Sequence, residues 1–81
     1  MKLELILLEL LERRDPELVR EVPLRNEAEL EGGKSVALAA MKSALRTMEQ
    51  RGELVCVVSE DTGTGWGVTD KGKARLARAR N

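Results

Sequence analysis

Four interruptions constrain what this chain can become: Asp15-Pro16, Gly32-Gly33, Gly52 and the run Glu60-Asp61-Thr62-Gly63-Thr64-Gly65. A proline disfavours helical backbone in the residue before it, a glycine supplies the left-handed geometry that ends a helix, and a Gly/Asp/Thr run is turn chemistry. The segments left between the breaks are single helices or short strands. An 81-residue chain built from them is one small domain, residues 1–81. Such a chain hides only about 60% of the surface its unfolded form exposes, so a partner subunit would help its modest core.

The spacing predicts a helix over residues 2–14. Leu3, Ile6, Leu7, Leu10 and Leu11 form its apolar stripe. Leu5 and Leu8 lie off that stripe, and two explanations fit them: packing against a C-terminal helix, or a dimer contact. Glu17 to Val22 adds a turn of helix, and Val22-Pro23-Leu24 reads as extended. Asn26 with Glu29 is a capping-box pattern for a second helix that ends at Gly32-Gly33. Ser35 is the expected cap of a third helix running to about Arg51. There Leu38, Met41, Leu45 and Met48 recur at three- and four-residue steps, while Ser35, Ala39, Lys42, Ser43, Arg46 and Gln50 take the other side. Leu54 to Val58 reads as a strand and Trp66 to Thr69 as its hairpin partner. Thr69 or Asp70 caps a last helix over about 71–80. The expected core joins the third-helix stripe to Leu7, Leu10, Val55, Val57 and Leu76.

Composition narrows the chemistry. The chain has no His and one Cys, Cys56, which leaves no ligand set for a zinc or a haem, no nucleophile–His pair and no internal disulfide. No cofactor, metal or catalytic residue is expected, and the chain does not read as an enzyme. A lone thiol suits a reducing, cytoplasmic setting. Leu3 to Leu11 is too short, and with Glu4 and Glu9 too charged, to span a bilayer. Gly33-Lys34-Ser35 resembles the end of a phosphate-binding loop, but Ala28 stands where the first glycine is needed.

The formal net charge of zero conceals a gradient. Residues 1–33 hold five basic and nine acidic side chains; residues 34–81 hold nine basic and five acidic. Lys71, Lys73, Arg75, Arg78 and Arg80 have no acid among them. A split of this kind suggests one end directed at a polyanion, and a solvated C-terminal helix is the plain alternative.

Two segments carry a family resemblance. Ala44-Leu45-Arg46-Thr47-Met48-Glu49-Gln50-Arg51-Gly52-Glu53-Leu54-Val55 resembles the stretch that ends the recognition helix of PadR-like and MarR-like regulators. Trp66-Gly67-Val68-Thr69-Asp70-Lys71-Gly72-Lys73-Ala74-Arg75-Leu76 is similar to the wing strand and capped helix that follow it. The resemblance implies an α+β winged helix-turn-helix domain with three helices, a two-stranded wing and a C-terminal helix. Two departures stand out. Glu27 and Glu31 occupy places where the helix-turn-helix pattern has apolar residues, and the wing carries Glu60 and Asp61 with no Lys or Arg between Glu53 and Asp70.

The implied function is a transcriptional regulator whose helix 35–51 reads the major groove of double-stranded DNA. The candidate DNA-binding residues are Lys34, Ser35, Ala39, Lys42, Ser43 and Arg46, with Lys71 and Lys73 near the wing adding phosphate contacts. A homodimer joined at Leu5 and Leu8 presents two such helices to successive turns of DNA. The alternative is a winged-helix module that binds a protein and no DNA.

Overall fold

The computed structural model describes residues 3–61 and 63–80. The elements run α1 (Leu3–Arg14), β1 (Val19–Arg20), α2 (Glu21–Gly32), α3 (Leu38–Gln50), β2 (Leu54–Ser59), β3 (Gly63–Val68) and α4 (Asp70–Arg80). The strands form one antiparallel sheet in the order β1-β3-β2. Val19 faces Trp66 across one pairing, and Leu54 to Ser59 face Val68 to Gly63 across the other. Four helices over a small antiparallel sheet make an α+β fold.

α1 is the centre of the molecule, packed by α2, α3, α4 and β3. Ile6, Leu7, Leu8, Leu10 and Leu11 are all buried. This corrects the dimer assignment at Leu8, which is completely covered by its own chain; Leu5 is half-buried against the same core. A helix apolar on more than one side needs neighbours on each of them, and here one chain supplies them.

The second helix begins earlier than its sequence suggests. Glu21 opens α2, and Val22-Pro23-Leu24 lies in its first turns rather than extended. Pro23 is tolerated because the first-turn amides of a helix have no intrahelical acceptor to lose. Asn26 is therefore inside α2, and the residue before α2, Arg20, makes no side-chain cap. Glu29 does other work: its Oε2 accepts the Val36 N–H at 2.8 Å, tying α2 to the segment before α3. Gly33 ends α2 at φ 68°, its N–H donated to the Glu29 carbonyl, as the Gly pair predicts.

α3 starts at Leu38, after Ala37, so Ser35 lies in the connecting loop and does not cap it. Met41, Leu45 and Met48 are fully buried and Leu38 is partly so. In β2 the pairing of Val55 with Gly67 and of Val57 with Gly65 puts both valines on the outer face, 45% and 47% exposed, against the core position expected for them. Successive strand side chains alternate faces, and it is Leu54 and Trp66 that turn inward.

Thr69 fastens α4 to the start of the hairpin. Its hydroxyl donates to the Gly52 carbonyl at 2.6 Å and accepts the Gly72 N–H at 3.2 Å; its amide donates to the Glu53 carbonyl at 3.0 Å. The expected helix cap is thus also a tie between α4 and the α3–β2 turn.

Candidate nucleic-acid interface

α3 has a buried underside and an open outer face. Its inward stripe locks it on α1 and β2, and Ala39, Lys42, Ser43 and Arg46, spaced three and four apart, are exposed together on the far side. Lys34 and Ser35 are exposed in the loop at the N-terminal end of α3 and line a cleft of about 250 Å³ with Ile6, Ala28 and Val36. Six of the eight expected DNA-binding residues therefore lie on α3 or the loop that leads into it.

Lys71 and Lys73 lie elsewhere. Between the hairpin tip and α4 runs the whole of β3, Gly63–Val68, a strand of roughly 20 Å. Both lysines sit at the base of the hairpin, not near its tip. The Lys71 side chain approaches Gly52, and the Lys73 ammonium is 2.7 Å from Asp15 Oδ2. That hydrogen bond raises the Lys73 pKa above its ordinary value.

The charge gradient along the sequence is largely cancelled in space. Arg75 pairs with Glu4 and Glu53, each at 2.7 Å, and Arg80 pairs with Glu12 at 3.1 Å. Hydrogen bonding to Glu4, then to Glu53, raises the Arg75 pKa against the opposing effect of burial. The basic C-terminal helix is folded onto the acids of α1 and the α3–β2 turn. Three of its five cations answer acids of this chain rather than an external polyanion.

On α3 itself the cations are also partnered, by a cluster the sequence does not announce. The Trp66 indole N–H donates to Glu21 Oε2 at 3.2 Å, and Glu21 Oε1 lies 3.9 Å from the Lys42 ammonium. Arg46 is centred 5.4 Å from the Trp66 ring and reaches Glu49 Oε1 at 3.1 Å. The hydrogen bond to Glu49 raises its pKa first of all. Glu21 and Trp66 are 45 residues apart, so no spacing rule could have joined them. At the hairpin tip Glu60 and Asp61 are exposed.

No family model matches the chain, and no curated protein matches it. Solved structures do. Two complexes of RosR superpose with a TM-score of 0.83 at 14% identity, covering 98% of this chain and 68% and 66% of theirs. TA0346 of Thermoplasma acidophilum, assigned as a transcriptional regulator, superposes with a TM-score of 0.75 at 24% identity, covering 94% of this chain and 75% of its own. The fold is a winged helix. In it α2 and α3 form the helix-turn-helix, β2 and β3 the wing, and β1 the third strand of the sheet. Among the described residues no helix is long and apolar enough to cross a membrane.

Proposed function

We propose that this winged helix is a DNA-binding transcriptional regulator of the PadR-like or MarR-like kind, with the outer face of α3 as its reader. The observation that carries the reading is the separation of the two faces of α3: Met41, Leu45 and Met48 hold the helix in place, while Ala39, Lys42, Ser43 and Arg46 are exposed together on its outer face. A helix so presented fits the major groove. Its lysine and arginine suit guanine edges or phosphates, its serine suits either, and its alanine permits close approach or contact with a thymine methyl. The folds of RosR and of TA0346 support the reading.

The test is titration of the protein with random-sequence duplex DNA at several salt concentrations. The expected result is binding that weakens steeply with salt and is reduced in Lys42→Ala and Arg46→Ala, whose melting temperatures stay near that of the wild type. Undiminished affinity in both variants removes α3 as the reader. A homodimer would set two α3 helices on successive turns of DNA. With Leu8 consumed by the core, sedimentation of the wild type at high concentration tests assembly directly.

The second reading, a protein-binding module, is favoured by one specific feature: Leu18, Val55 and Val57 are each close to half exposed on the outer face of the sheet. Absence of DNA binding at low salt, together with a wild type that retains its fold, supports that reading instead.

A further inference from the structure

Glu21 stands out because its place suits the stability of α2 but opposes simple DNA attraction. It is the first residue of α2, the end of a helix whose amides and positive dipole favour contact with phosphates in a helix-turn-helix. A carboxylate there repels the same phosphates. Its side chain is only 21% exposed and is held from behind: the fully buried Trp66 donates its indole N–H to one carboxylate oxygen, and the other faces the Lys42 ammonium on α3. Trp66 also lies beneath the Arg46 guanidinium. One buried ring thus holds an acid beside Lys42 and itself lies under Arg46.

We propose that Glu21 is an electrostatic discriminator: anchored by Trp66, it draws Lys42 away from the DNA backbone and suppresses sequence-independent binding. The inference rests on the DNA-binding reading above and specifies how that face is regulated. The 3.9 Å separation is a Coulombic contact rather than a tight hydrogen bond, so Lys42 can leave it. Leaving costs the pair its attraction and sets an unneutralised carboxylate against the phosphates. Only a duplex that offers the released Lys42 a specific partner, such as a guanine edge, offsets that cost. Phosphate contacts alone, which are the same for every sequence, do not. Glu21 acts on the backbone through Lys42 and is a positioning residue in that sense.

The experiment compares wild type, Glu21→Gln, Glu21→Asp and Trp66→Phe, alone and with Lys42→Met, by anisotropy titration of a random-sequence 20-base-pair duplex over a range of salt. Gln keeps the shape and still accepts the indole N–H, so Glu21→Gln is expected to fold, with a melting temperature only slightly below that of the wild type. It should bind the random duplex about fivefold more tightly, with the slope of log affinity against log salt steeper by about 0.9, the signature of one added phosphate contact. Asp retains the charge and should stay near wild type. Trp66→Phe releases the anchor and should move in the direction of Glu21→Gln. In the Lys42→Met background the Gln substitution should lose most of its effect. If wild-type binding weakens with salt and depends on Lys42, yet Glu21→Gln matches it in affinity and slope, the discriminator is overturned and the DNA reading stands. An equal gain from Glu21→Gln with and without Lys42 also overturns it, because the effect would then be bulk charge. If neither wild type nor Glu21→Gln binds duplex DNA at low salt, both the inference and the reading beneath it fail.

Discussion

Gly72 is the third residue of α4, where an alanine gains about 1 kcal/mol of helix propensity over glycine. The structure opposes that gain. A Cβ on the Gly72 backbone falls 2.3 Å from the Glu53 carbonyl oxygen and 2.8 Å from Val68 Cγ2. Ordinary contact begins near 3.4 Å, so the two backbones must separate by about 1 Å. The Glu53 carbonyl is not free to yield: it accepts the Thr69 N–H at 3.0 Å, and beside it the Gly52 carbonyl accepts the Thr69 hydroxyl. Overpacking of a dense site costs about 1–3 kcal/mol, and losing one backbone hydrogen bond costs about 1 kcal/mol more. Set against the propensity gain, Gly72→Ala is expected to destabilise by about 2 kcal/mol, which in a domain of this size lowers the melting temperature by roughly 10 °C. Thermal and urea unfolding followed by circular dichroism measure it. Ala77→Gly, on the exposed side of α4, provides the propensity scale and should cost about 1 kcal/mol. A Gly72→Ala protein as stable as wild type, or more stable, refutes the close approach of α4 to the α3–β2 turn.

Leu45→Ala, at a fully buried position of α3, should cost about 2–5 kcal/mol in urea unfolding, and a loss under half a kilocalorie means the stripe does not pack as described. Leu8→Glu places a charge inside α1's completely covered face and should abolish the dispersed amide spectrum; a folded monomer would instead restore Leu8 to an interface. Glu29→Ala removes the acceptor of the Val36 N–H and should cost about 1 kcal/mol while lowering DNA affinity, because the loop before α3 loses its tie; unchanged stability and affinity count against that role. The Lys73 pKa is raised by its hydrogen bond to Asp15, so its folded value exceeds its unfolded one. Its contribution is then complete below the unfolded value and is lost as pH rises through the folded value. The stability difference between wild type and Lys73→Met should therefore stay flat from neutral pH up to about pH 10.5 and shrink above it, and a difference that grows above it contradicts the assignment.

The architecture is legible in the amino-acid order, because the signals that set it are local. Gly33 and Gly52 both adopt the positive φ of 68° and 81° that their placement after helices suggests. The three- and four-residue spacing of Met41, Leu45 and Met48 is a property of one helix, so it names the buried face without knowledge of what covers it. Thr69 before a Lys-rich helix likewise reads as a cap from its neighbours alone. Where a sequence signal has a competitor, local rules do not decide between them. Pro23 breaks a helix interior but suits its first turn, so the start of α2 moved to Glu21 and Asn26 lost its cap.

Tertiary structure decided the rest, because those outcomes depend on which surfaces meet. An unbroken run of apolar residues gives no phase to a strand, and only pairing with the glycines of β3 turned Val55 and Val57 outward. Leu8 has the same neighbours in sequence whether it is covered by a second copy or by this chain; packing on every side of α1 covered it. In the sequence the C-terminal cations fit a polyanion-facing end or a solvated helix equally; the fold lays Lys73, Arg75 and Arg80 against Asp15, Glu4, Glu53 and Glu12. Glu21 gained its partners the same way. Charge counts add along a chain without regard to distance, whereas Coulombic attraction depends on separation in space, and only the folded chain brings Glu21 to Trp66 and Lys42.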